Sequence, residues 1–94
     1  MRTVVKEGSV TEFIDREAQN HPRLREVIRG LEWVLSRDPD HDAAEPIPNS
    51  SQHFGRQLYL IKTVDLRFYD AGPPSRLIYY LKENKVIFWG ISFG

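Results

Sequence analysis

The sequence predicts an α+β fold, with an N-terminal strand and a two-helix hairpin packed on one face of a mainly antiparallel sheet. Three observations predict it. Residues 10–35 carry apolar side chains at helical spacing, and residues 57–93 are strand-like almost throughout. A chain of 94 residues also holds one domain, 1–94, with little room for a second.

Each element has its own local cause. Thr3–Val4–Val5 opens the chain with β-branched residues and reads as a short strand. Gly8 breaks it, and Ser9 with Glu12 has the spacing of a capping box, which predicts a helix start at Ser9. Val10, Phe13, Ile14 and Ala18 then form a helical stripe. Asn20–His21–Pro22 interrupts it, with Pro22 suited to the first turn of a second helix. Leu24, Val27, Ile28, Leu31, Val34 and Leu35 form the stronger stripe. Asp38–Pro39 ends it, because the residue before a proline avoids the α region.

Residues 38–56 change character. Asp38, Asp40, Asp42 and Glu45 stand against Arg56 alone, for a net charge of −3, among Pro39, Pro46 and Pro48. A long acidic loop is predicted. Beyond it, Gln57–Val64, Arg76–Lys82 and Lys85–Phe93 read as strands, and Glu83–Asn84 has the length of a two-residue hairpin. The last two runs are apolar on both faces, which predicts central strands. The sheet face away from the helices must be covered or used.

Composition excludes several function classes. Apolar residues at 40% and 11 aromatics argue against disorder. Thirteen Lys and Arg balance thirteen Asp and Glu, so phosphate binding would have to come from a local patch rather than a global basic excess. The absence of cysteine excludes disulfides, thiolate nucleophiles and Cys-type zinc sites. No apolar run approaches the ~18–20 residues needed to cross a bilayer, and Met1–Lys6 is too polar for a signal peptide. A soluble, cytoplasmic protein without a membrane partner is expected.

Metal and cofactor motifs are not found. The Asp38–Asp42 run departs from a calcium loop, with Ala43 where a glycine is needed and Asn49 where a glutamate is needed. His21, His41 and His53 lack ligand spacing. His21 reads as a helix-start residue, His41 as a solvated loop residue, and His53 as a weak candidate for acid–base chemistry beside the strands. No nucleotide-binding glycine loop or nucleophile elbow is present.

What remains is a group of cations: Arg56, Lys62, Arg67, Arg76, Lys82 and Lys85. Residues 57–94 carry five cations and three acids, a net +2. On strand parity Arg76, Ile78, Tyr80 and Lys82 share one face. Cations interleaved with aromatics on a sheet can track a phosphate backbone and stack bases; ordinary rim charges are the plainer alternative. Trp33 lies about 180° from Leu24 at 100° per residue, opposite the apolar stripe. It marks a partner surface, or the long loop folds back to cover it.

Taken in order, these stretches resemble the RelE/ParE superfamily of type II toxin–antitoxin toxins. Leu31–Pro39 (LEWVLSRDP) resembles the family's second helix, and Leu58–Lys62 (LYLIK) its strand with a Y-x-I-K core. Arg76–Tyr80 (RLIYY) resembles the R-L-x-Y strand, and Lys85–Ser92 (KVIFWGIS) the closing strand. The resemblance spans nearly the whole chain through short motifs.

It implies a cytoplasmic toxin-like protein, either an mRNA endoribonuclease that inhibits translation or a degenerate relative, needing no cofactor or metal. By resemblance Lys62 and Arg76 fall at catalytic cations, a lysine near the ribose hydroxyl and the phosphate-stabilising arginine. On the residues' own pattern Arg56, Arg67 and Lys82 are the candidate RNA contacts beside them, and the outward Trp33 the candidate partner contact. Two departures stand out. Leu60 replaces a second family lysine, and the sequence stops at Gly94, where family enzymes continue through a basic segment to a further arginine and tyrosine. The catalytic group carried over is therefore incomplete. The implied partners are a cognate antitoxin and mRNA on the ribosome, with a homodimer as a further candidate. The alternative is a non-enzymatic protein-binding module on the same fold, directed at an antitoxin, at gyrase or at itself.

Overall fold

A computed structural model describes residues 1–66 and 72–94. Strand β1 (Thr3–Lys6) leads into helices α1 (Gly8–Glu17) and α2 (Leu24–Arg37). A two-residue strand β2 (Glu45–Pro46), a short helix α3 (Ser50–Phe54) and strand β3 (Tyr59–Lys62) follow. A 3-10 turn at Thr63–Asp65 precedes strands β4 (Ser75–Lys82) and β5 (Lys85–Phe93). The five strands form one mixed sheet in the order β1-β5-β4-β3-β2. Strand β1 runs parallel to β5, and the other pairings are antiparallel. The fold is α+β, and β4 and β5 are central, as their two-sided apolar pattern predicts.

Helices α1 and α2 cover one face, here the inner face. Val10 and Ile14 of α1 join Leu24, Val27, Ile28, Leu31 and Leu35 of α2 against Ile61, Leu77, Tyr79, Val86 and Phe88 of the sheet. Removing these side chains from water is the main favourable contribution to folding. The Tyr79 ring stacks on Tyr59 at 5.5 Å between centroids, and its hydroxyl donates to the Pro39 carbonyl at 2.7 Å. Burial, with Tyr59, Asp40 and Asp38 nearby, pushes the Tyr79 phenol above its ordinary pKa.

One residue disturbs the regular pleat. Ile78 pairs with Gly90, but Tyr79 pairs with Phe88, so Trp89 is an extra residue on β5, a β-bulge. The bulge shifts parity by one, so Ile91 and Phe93 still pack on the inner core with Val86 and Phe88. The β4–β5 turn is the predicted Glu83–Asn84 pair, with Glu83 in the left-handed region (φ 56°) that such tight hairpin turns require.

Four expectations are corrected. Helix α1 begins one residue early, at Gly8, and Glu7 is its N-cap with no side-chain cap bond. The Glu7 carbonyl accepts from Val10 and Thr11, while the Ser9 hydroxyl donates to the Trp89 carbonyl at 3.5 Å, so no capping box forms. The strand expected over 57–64 is confined to Tyr59–Lys62. Thr63 leaves the ladder and binds Ser75 through its side chain, accepting from the Ser75 N–H at 2.8 Å.

The expected acidic loop contains β2 and α3. Ser50 anchors α3, its buried hydroxyl accepting from the Leu58 N–H at 2.9 Å and the Gln57 amide at 3.0 Å. His41 is half-buried rather than solvated, and its Nδ1 accepts from the Ala43 N–H at 3.0 Å. The imidazole, turned back on its own backbone, holds that turn.

Candidate anion and nucleotide face

The outer face of the sheet is built in rows by the strand register. Lys62 stands directly opposite Arg76, which stands opposite Ser92 on β5. Residues directly opposite in an antiparallel pair have Cβ atoms about 4.5–5.5 Å apart, and like charges there repel. The next row, two residues along and therefore about 6.6 Å away, is Glu45, Leu60, Ile78 and Gly90. The first of these is the one carboxylate of the row, at its β2 edge. An open depression of about 370 Å³ lies over these rows, lined by Leu60, Arg76, Ile78, Gly90, Ile91 and Ser92. The Arg76 side chain runs along the backbone of Gly94, so closely that a Cβ there would collide with it.

The other half of this face is covered. Leu58, Tyr80 and Ile87 form a second apolar cluster with Ile47 and Ile78, beneath the segment that carries α3. The Arg56 guanidinium lies 4.3 Å from the Tyr80 ring centroid, a cation–π contact. Phe54 of α3 is half exposed and meets Trp89 edge-on at 5.5 Å between ring centroids. Helix α3 has left-handed residues at both ends, Asn49 (φ 62°) and Gly55 (φ 72°). At Gly55 the glycine removes the steric cost of that conformation.

The charges of the two faces differ. Among the described residues the ion pairs are Lys6–Glu32, Arg16–Glu17, Arg23–Glu26 and Arg25–Asp15. None of them involves Arg56, Lys62, Arg76, Lys82 or Lys85. Lys82 and Lys85 also stand directly opposite each other, at the hairpin end of the sheet.

The structure therefore brings together Lys62 and Arg76 and places the other expected residues elsewhere. Arg56 shares the face but lies over Tyr80. Lys82 is six residues along β4 from Arg76, about 20 Å at strand rise, too far to share one phosphate with it. Arg67 lies outside the described residues. Trp33 is on the helical side of the molecule and 61% exposed, so the 38–56 segment does not cover it; Arg37 stacks on its ring at 4.3 Å. His53 sits in α3, exposed and beside Phe54, while His21 packs on Phe93 at 4.7 Å.

The sequence marked Leu60 only as a departure from a family lysine, and it did not single out Phe54, Trp89, Gly90 and Ser92 as parts of this face. The available signal was Trp89–Gly90, a large aromatic and a glycine inside a strand run. Glycine there marks a bulge or a close approach of another group.

Such an arrangement suits an oxyanion joined to a flat, weakly polar group. Lys62, Arg76 and the Ser92 hydroxyl offer donors, and an arginine fork can grip phosphate with two hydrogen bonds. No family model matches the chain, and no characterised protein or solved structure is significantly similar to it. The resemblance drawn from the sequence rests on its motifs and on the order of its elements.

Proposed function

We propose that the protein is a toxin-like component of a RelE/ParE-type toxin–antitoxin pair whose outer sheet face binds RNA, with Lys62 and Arg76 as its working cations. The single observation that supports this reading is their direct cross-strand opposition on an exposed face, unpaired with any carboxylate among the described residues. Two like charges facing each other cost stability, and an external phosphate removes that cost. In mRNA cleavage Arg76 would neutralise the charge that builds on the phosphate, and Lys62 would lie beside the attacking ribose hydroxyl.

The test is induced expression in a bacterial host with Arg76→Ala alongside at equal soluble protein. Growth arrest by the wild type and relief by the variant, with new RNA 5′ ends, supports the reading; no arrest by folded protein removes the toxin role. Binding of a single-stranded RNA gives a second readout. The logarithmic salt slope should fall by about 0.7 for each phosphate contact deleted, so Lys62→Ala and Arg76→Ala should each flatten it.

A second reading is a non-enzymatic protein-binding module, and the exposed Trp33 favours it. A large aromatic ringed by charge is typical of partner contacts. A purified candidate antitoxin that binds wild type and Trp33→Ala equally would remove Trp33 from that role, and sedimentation would show whether copies associate.

A further inference from the structure

Gly90 has no folding duty that the structure shows. It occupies a central strand, where glycine costs roughly 0.5–1 kcal/mol relative to alanine, yet its φ is not in the left-handed region. The neighbouring bulge therefore does not depend on glycine for its backbone. Nor does packing: a Cβ at Gly90 would meet only the Ile78 Cβ, at an ordinary 3.9 Å. What the missing side chain does is keep the β5 end of the floor of the 370 Å³ depression low, beside Ile78 and on the far side of it from Leu60. Around that floor stand Arg76 and Ser92, with Lys62 opposite Arg76, and Trp89 is the next residue along β5.

We propose that this floor seats one unpaired nucleobase of a single-stranded RNA, lying over Leu60, Ile78 and Gly90, with its phosphate on Lys62 and Arg76. The proposal rests on the RNA-binding reading above and names the subsite and the ligand group. The row of cations and the apolar row are one side-chain repeat apart, about 6.6 Å, which is the scale separating a nucleotide's phosphate from its base. Charge complementarity selects the occupant. The apolar floor alone would accept many side chains, but floor and unpaired cations together fit a flat ring carrying an anion. Duplex RNA keeps its bases stacked and its major groove closed to side chains, so only a single strand can lay a base here.

The experiment uses the full chain in a Trp33→Phe background, so that Trp89 is the only tryptophan and reports by fluorescence. The probes are a single-stranded RNA octamer and an abasic ribose-phosphate octamer of equal charge. Burial of one face of a base on this aliphatic floor predicts that wild type prefers the RNA by roughly tenfold. Gly90→Val, which raises the floor, should erase that preference while leaving affinity for the abasic probe within about twofold. Circular dichroism confirms that the variant folds, and Gly90→Ala provides a smaller step that the 3.9 Å clearance accommodates.

Equal binding of the two probes by wild type, or an undiminished RNA preference in a folded Gly90→Val, overturns the seat. The cation reading survives in that case if Arg76→Ala weakens both probes. Failure of folded wild type to bind either probe overturns the RNA-binding reading and the seat with it.

Discussion

On the helical side of the molecule Lys6, Arg16, Arg23 and Arg25 each meet a carboxylate within 3.2 Å, whereas on the outer sheet face Arg56, Lys62, Arg76, Lys82 and Lys85 meet none among the described residues. Surface pairs are worth only about 0–1 kcal/mol, so the contrast has little to do with holding the fold together. It concerns where the field is left unbalanced. The chain is neutral as a whole, and residues 38–56 carry net −3. A positive outer face is therefore compatible with a zero net charge, and the composition alone hides it. Four cations of the helical side are neutralised by a neighbouring carboxylate, though Arg29 and Arg37 are not among them, while the outer-face cations remain available to an anion from outside.

The contrast can be broken or sharpened by substitution. The largest effect belongs to the inner face, where Phe88 is fully buried: Phe88→Ala should cost about 3–5 kcal/mol, read by urea unfolding. A smaller loss is expected at Tyr79. Tyr79→Phe keeps the ring but removes the hydrogen bond to the Pro39 carbonyl, for about 0.5–1.5 kcal/mol.

The same variant tests a pH dependence. The folded phenol is raised above its unfolded value of about 10. Below that pH both states are protonated and the contribution is fully present. Above it the unfolded chain ionises first, so stability falls as pH rises past about 10. Tyr79→Phe should fall less steeply than wild type as pH rises above about 10, and parallel curves there would refute the assignment.

Lys62→Glu should act in opposite senses on fold and function. It turns a like-charge pair with Arg76 into an attractive one, which should raise stability by about 0.2–1 kcal/mol. RNA binding should fall by more than in Lys62→Ala. A loss of stability would mean that the two side chains do not face each other as the register places them. The smallest effect is expected on the helical side: Glu32→Gln releases Lys6 and should cost a few tenths of a kcal/mol, vanishing at high salt.

The fold was largely legible. Helical stripes, the Asp38–Pro39 stop and the Glu83–Asn84 turn are local signals, and each lies where the sequence predicts. The shared face of Arg76, Ile78, Tyr80 and Lys82 follows from parity, because the bulge lies on β5 and leaves β4 in phase. Helix α3 was not legible, since five residues of Ser, Gln, His and Phe carry no period and owe their shape to Ser50 bonding across to Leu58. Ser9 misled because its spacing to Glu12 fits a cap, while the chain turns into the helix at Glu7. Of the candidate site, Lys62 and Arg76 could be named from resemblance, but their opposition is a property of register. The depression beside them depends on Gly90 and on three strands meeting, which local spacing does not encode.

The extra residue at Trp89 also has a consequence for tolerance to mutation. A saturation library along Lys85–Phe93 should show polar residues rejected at Ile87 under the outer cluster, and on the inner face at Val86 and Phe88, then at Ile91 and Phe93. That is a beat of two, three and two, rather than an even alternation. Deleting Trp89 would restore the even beat and leave Ile91 and Phe93 on the inner face and Ser92 opposite Arg76, because Gly90 would then follow Phe88 in regular alternation. The end of β5, with the serine that faces Arg76, thus keeps its phase because the bulge sets the extra residue aside, and a strand that paired Trp89 regularly would turn Ile91 and Phe93 outward.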